Sequence, residues 1–352
     1  LEIKTKGLNL LKAKKWILIS LVLVLLIFLI ASCGKSQQSV VKSLGKKVES
    51  LKSYMAKGTL LLQTGQTPQQ YDVEVWHKKP DFYRIALTNH EKSITQIILR
   101  NQEGVFVLTP HLNKSFRFQS NWPDKQGQVY LFESLVNSIV EDKERVLVND
   151  KKNKAYMFHV KANYQNRTLT SQKIWLDKDQ LAPRKVQVMN ADAQVLVELT
   201  FNEYKFDVKF ADDAFDMNRN MTGYQTESLQ TMAQNQGRNN QIWPIKPTYM
   251  PEGVYEANIE EITRQDGPAV LLKYDGEYQY TVIEEIPKEM MVIANSGEPV
   301  DLGFTIGALT QKGEVQTLRF TYEGVDFSIM SSTLPEEEMQ KIAASVFGQI
   351  GK

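Results

Sequence analysis

Cys33 is the only cysteine in the chain, and the residues before it decide what its sulfur can do. Lys4, Lys6, Lys12, Lys14 and Lys15 form a basic leader. An apolar run of 16 residues follows from Trp16 to Ala31, and Ile30, Ala31 and Ser32 lead into the thiol. A positive flank, an apolar core and small residues before a cut are the parts of an export signal. Cleavage before Cys33 would leave it as a new amino terminus carrying covalent diacylglycerol. The run falls short of the roughly 20 residues a helix needs to cross a bilayer, so residues 1–32 read as a removable signal. Two acyl chains, at about 0.8 kcal/mol per buried methylene, hold a protein to a membrane where one chain does so marginally. The expected location is therefore the extracytoplasmic face of the cell membrane. No second thiol is present for a disulfide, so the exported fold must be stable without one.

Other reactive side chains are few and poorly arranged for catalysis. His77 and His111 fall at strand ends, His90 in a turn and His159 on a strand face, and no two have metal-ligand spacing. The chain holds no G-x-S-x-G elbow, phosphate-binding loop or dinucleotide fingerprint. Glu260 with Glu261, and Glu284 with Glu285, are adjacent, so on a strand each pair points to opposite faces. The reading is a non-catalytic protein with no metal and no cofactor beyond the lipid on Cys33. Charge excludes a further class. The leader holds five lysines against one glutamate, so cleavage turns the formal net charge of +1 into −3. Nucleic-acid binding calls for a basic face, and none is expected here.

The elements that would position a site follow from periodicity. Val40, Val41, Leu44, Val48, Leu51 and Met55 recur at helical steps over 36–56, with Gly58 ending the helix. From there to about 206 the period is two, giving about eleven short strands with turn chemistry between them. Residues 128–141 interrupt them. Val129, Phe132, Val136 and Ile139 share one helical side, with Leu131 and Leu135 widening it, so this helix must lie on the sheet as a lid. Asparagine and glutamine crowd residues 218–242, which read as a polar linker. Beyond it, residues 243–352 carry strand candidates around 254–263, 268–275, 278–286, 303–310, 314–321 and 324–330. A closing helix follows, with Thr333 and Glu336 as its capping box.

This order resembles the LolA-like lipoprotein-carrier fold over residues 33–217. Pro80, Asp81, Phe82, Tyr83 and Arg84 look like that family's strand opening. Gly104 to Pro110, then Asn113, look like its glycine-to-proline strand and turn. The resemblance implies a mainly β (α+β) protein, a half-open antiparallel barrel of about eleven strands under a helical lid, with a cavity for acyl chains. Trp243, Pro251, Gly253, Tyr274, Gly276 and the Met339–Val346 stretch are similar to the small α+β domain that follows in MucB/RseB-type regulators. A membrane-tethered version most resembles sporulation-associated lipoproteins of Gram-positive spore formers.

Two functions are therefore in view. In the first, the barrel binds an acyl chain, a lipoprotein or another hydrophobic ligand. Its cavity would be lined by Trp76, Tyr83, Phe106, Phe116, Phe118 and Trp122, under a lid of Val129, Phe132, Val136 and Ile139. Six large aromatics within 47 residues carry this expectation. In the second, the barrel is filled and the protein docks or activates an envelope or spore-assembly partner.

Overall fold

The computed structural model describes residues 36–63, 68–89, 94–118, 122, 128–164, 168–223, 244–264, 267–286, 290–294, 297–302, 305–322 and 325–346. The export signal, Cys33, His90, Trp243 and most of the polar stretch lie outside them. The chain divides into one compact unit ending at Lys46 and a second running from Lys47 to Lys352. Helix α1 (Gln37–Ser50) spans the division, with Val40 and Leu44 buried.

The helix expected to reach residue 56 stops at Ser50, because strand β1 (Ser53–Leu62) begins there. β1 is paired on both sides, to β2 (Gln69–Lys78) and β11 (Val195–Phe206). Both neighbours thus bid for its backbone hydrogen bonds, and tertiary pairing overrides the helical period that Leu51 and Met55 extend. Gly58 therefore ends nothing. It lies inside β1 at a bulge against β11, where a Cβ would stand 2.5 Å from the Thr200 carbonyl oxygen. Only glycine permits that approach.

Strands β3 (Phe82–Asn89), β4 (Ile94–Asn101), β5 (Gly104–Thr109) and β6 (Lys114–Phe118) extend the sheet on one side of β2. On the other side of β11 come β10 (Pro183–Met189), β9 (Ser171–Asp177), β8 (Ala155–Lys161) and β7 (Val146–Asp150). These eleven antiparallel strands do not close, so the sheet is half-open. β3, β4 and β5 are buried along nearly their whole length, which requires cover on both faces. β7, the bare end strand, exposes Val146 by 52% and Val148 by 43%.

A second sheet is built from β12 (Val254–Arg264), β13 (Gly267–Gly276), β14 (Tyr280–Glu285), β19 (Val325–Ser331), β18 (Val315–Tyr322), β17 (Ile306–Lys312) and β16 (Gly297–Asp301), in that spatial order and antiparallel throughout. Helix α4 (Glu336–Val346) lies against β18 and buries Met339, Ile342, Ala343 and Val346. Its expected capping box is not formed. The Thr333 hydroxyl accepts from Gln279 N–H at 3.1 Å, and Glu336 accepts from Gln340 at 2.9 Å.

The two sheets are joined by a strand the sequence did not announce. β15 (Met290–Ala294) adds parallel to β6, making the first sheet twelve-stranded. Beside it, the Lys114 ammonium meets the Asp326 carboxylate at 2.7 Å with both side chains almost wholly buried. Gln96 Oε1 accepts from the Thr305 hydroxyl at 2.7 Å and from Ile306 N–H at 2.9 Å. Removing one partner of a buried ion pair strands the other, at about 3–5 kcal/mol, whereas replacing both by apolar groups is often neutral. Lys114→Met should therefore lower stability by about that much in urea denaturation, and Lys114→Met with Asp326→Leu should recover most of it.

Candidate functional site

The strand registers sort the first sheet's side chains onto two faces. Tyr54, Val75, His77, Tyr83, Ile85, Ile98, Val107, Phe116 and Phe118 share one. Across it lies helix α2 (Phe132–Glu141), an amphipathic segment whose Phe132, Leu135, Val136 and Ile139 are buried, as is Val129 before it. The Phe132 ring meets Tyr54 at 6.2 Å, Tyr204 at 6.3 Å and Phe206 at 5.4 Å, edge-on or tilted. Such geometry contributes about 0.5–1.5 kcal/mol per pair beyond the area buried. Of the expected lid residues, Phe132 packs on the sheet, and Val129, Val136 and Ile139 are buried.

The first turn of α2 is fastened by a polar cluster. Tyr54 Oη accepts from Phe132 N–H at 3.2 Å and donates to Glu133 Oε2 at 3.1 Å. An otherwise orphaned helix N-terminal N–H is satisfied in this way. His77 Nδ1 lies 3.2 Å from the Phe82 carbonyl oxygen, so Nδ1 carries the proton and donates. Nε2 then holds a lone pair 3.1 Å from Glu133 Oε1, and only a proton on one of the two groups makes that contact attractive. Burial drives His77 down to about 4 and, as the largest cause, pushes Glu133 upward. Burial likewise pushes the phenols of Tyr54, Tyr83 and Tyr204 up, with Glu133 adding to each. All of these favour uncharged forms, which suits a greasy seam between helix and sheet.

Four of the six aromatics expected to line a cavity lie on or beside this lidded side. Tyr83 stacks on His77 at 4.5 Å and meets Trp122 edge-on at 6.2 Å. Phe116 and Phe118, three strands away, stack at 6.5 Å. Trp76 and Phe106 are the exceptions. They sit one residue out of step with His77 and Val107, and a one-residue offset puts a side chain on the other face. There they join Ala86, Ile97, Leu99 and Leu108 under a strap from Phe210 to Met221. Arg84 lies 4.3 Å over the Trp76 ring and donates to Asn220 Oδ1 at 2.6 Å. Asn218 and Asn220, read as linker, belong to helix α3 (Met217–Thr222), which this buried hydrogen bond holds down.

Burial under the lid is uneven, and Tyr204 and Phe206 keep part of their surface. Tyr54, Phe118 and Phe132 have no exposed surface. Sequence reasoning missed Tyr54, His77, Glu133, Tyr204 and Phe206. Alternation of Tyr54, Ala56 and Gly58 was the available signal for the first, and the recurrence Phe201, Tyr204, Phe206 for the last two. His159 is exposed on β8, and His111 lies in the short turn Pro110–Leu112, where burial lowers it to about 4. Among the described residues no three His, Cys, Asp or Glu could hold a metal ion. A surface cavity of about 410 Å³ lies in the second sheet. Three of its polar lining residues are engaged, Lys273 with Glu260, Asp275 with Gly276 N–H and Ser331 with the Gln279 carbonyl, whereas the buried Tyr280 hydroxyl has no hydrogen-bond partner.

An open antiparallel sheet roofed by a helix, with a smaller sheet and helix joined to it, is a mainly β architecture, and the polar groups under its lid serve its own assembly. The chain belongs to the family described as Sporulation protein YdcC-like, whose model matches residues 13–215. Residues 244–346 match a second family, described as Domain of unknown function (DUF4367). Sporulation protein YdcC of Bacillus subtilis (strain 168) is 41% identical over 347 residues, covering 97% of this chain and 99% of that one. Similar solved structures include the Pseudomonas aeruginosa MucA/MucB complex, at 14% identity and TM-score 0.32, covering 88% of this chain and 98% of that one. The CwlD amidase from Clostridioides difficile in complex with the GerS lipoprotein gives 13% identity and TM-score 0.29, covering 51% and 99%. A LolA superfamily protein from Nitrosomonas europaea gives 12% and 0.29, covering 53% and 99%.

The histidine in the fastening cluster makes stability depend on pH. Below about 6.5 the unfolded chain takes a proton on His77 that the folded chain refuses until about 4. Stability should fall as pH drops through that window, by up to about 3 kcal/mol from this group. Glu133 slopes the other way, because the folded state holds its proton to higher pH than the unfolded. The comparison of wild type with His77→Phe in urea at pH 7, 5.5 and 4.5 isolates the histidine: the variant should lose the acid-side decline.

Proposed function

We propose that this chain is a non-catalytic binding protein of the spore-forming cell, tethered by diacylglycerol on Cys33 to the extracytoplasmic face of the membrane, where it docks an envelope or spore-assembly protein. The carrying observation is how the lidded face spends its polar groups. Tyr54, His77 and Glu133 are committed to holding α2 on the sheet, and Tyr54 and Phe118 on the face beneath it are fully buried. A face closed in this way serves as a rigid scaffold, and recognition falls to the outside of the molecule. Membership of a sporulation family supports the setting. Among the described residues no helix is long and apolar enough to cross a membrane.

A second reading has its own support. Polar fastening of α2 is concentrated in its first turn, and the buried side chains farther along are apolar. Lifting that helix would uncover Tyr54, Tyr204 and Phe206, with Phe116 and Phe118 on the same face. An acyl chain of about 16 carbons buried there would contribute on the order of 10 kcal/mol before ordering costs.

Three measurements separate these. Metabolic labelling with an alkyne palmitate should mark the wild type and leave Cys33→Ala unmarked. Affinity capture from membranes of sporulating cells should recover one protein in near-stoichiometric amount, and recovery equal to a control bait would end the docking reading. A fluorescent fatty acid should not be taken up by the purified chain. Saturable uptake, abolished by Phe116→Asp with the fold intact, would move the function to the acyl ligand.

A further inference from the structure

Residues 290–301 serve both sheets. Met290–Ala294 is the end strand of the first and Gly297–Asp301 the end strand of the second, with two residues between them. β15 makes the one parallel pairing among the described strands, and β6 is its only ladder neighbour. Parallel pairing is slightly weaker per residue than antiparallel, and this ladder is five residues long. β6 itself is firmly placed. Lys114 at its start is half of the buried ion pair, Phe116 and Phe118 are buried, and β5 holds its other side. A fixed edge thus carries a lightly held strand delivered from elsewhere in the chain. That strand reads Met-Met-Val-Ile-Ala, which states what the edge accepts: an extended, uncharged, apolar segment with its N–H groups free.

We infer that the β6 edge, Lys114–Phe118, is a strand-docking site for an extended apolar segment of a protein partner, which takes the place Met290–Ala294 occupies in the free chain. The inference rests on the docking function proposed above and names where on the molecule it happens. Strand addition draws affinity from main-chain hydrogen bonds and selectivity from alternate side chains. Exchange is cheap, because each backbone bond surrendered by β15 is remade by the incoming strand. Since β15 and β16 are so closely linked, its release also pulls at the edge of the second sheet.

The test uses the full chain carrying Cys33→Ser in detergent, with Ser115→Cys and Met291→Cys, which are Cα partners across the ladder. The probe is a fluorescent peptide with the sequence of residues 288–296. Reduced protein should bind it. Oxidation to the disulfide should weaken binding by about tenfold or more, with recovery on reduction. A variant with Met290–Ala294 replaced by a Gly-Ser segment should bind more tightly than its parent. Binding indifferent to the disulfide, or no binding by the Gly-Ser variant with its circular dichroism intact, overturns the site. A dimer made by exchange of the strand between copies, seen by light scattering, overturns the partner. If the peptide fails while membrane capture succeeds, this site falls and the docking function stands; if both fail, the function falls too.

Discussion

Lys114 lies on the first sheet and Asp326 on the second, both withdrawn from water, with their side-chain nitrogen and oxygen 2.7 Å apart. Desolvation costs several kcal/mol per ion, so such a pair adds little net stability and acts through its intolerance of misplacement. Sliding one sheet on the other by a single residue would leave two bare charges. Lys114 is the first residue of β6, and the pair therefore fixes the origin of the ladder on which β15 is laid. Gln96, taking two hydrogen bonds from Thr305 and Ile306, repeats the constraint two strands away. The residues from Lys47 onward consequently behave as one compact unit.

The sequence made the local elements legible and the long-range ones opaque. Alternation in Tyr71–Val75 and Val195–Phe201 placed strands well, and the amphipathic stripe of Phe132, Val136 and Ile139 announced a helix that must cover a sheet. Two kinds of information were missing. Phase was one: Trp76 and Phe106 are as aromatic as Tyr83 and Phe118, but their numbers fall on the wrong parity, and only registers reveal that. Strands β3, β4 and β5 are covered on both faces, yet nothing local showed that residues 210–222 would provide the second cover. Partnership across distance was the other. Met290–Ala294 has no alternation because it pairs outside its own neighbourhood, and Lys114 finds its counter-ion 212 residues away.

The same contrast shapes the site. Aromatic clustering pointed to a hollow, whereas the decisive groups are a tyrosine, a histidine and a glutamate whose meeting no spacing foretells. Their chemistry is that of a fastening: each is driven toward its neutral form by burial, and each has its hydrogen-bonding atoms turned on the lid or on the backbone beneath it. The chain carries this fastening as a member of the family described as Sporulation protein YdcC-like.

The half-open sheet has two unlike margins. β15 seals one, while β7 leaves Val146 and Val148 turned to water with no strand beyond them. Backbone amides at residues 146–150 are paired on one side only, so they should exchange with solvent sooner than those of β1, which is paired on both.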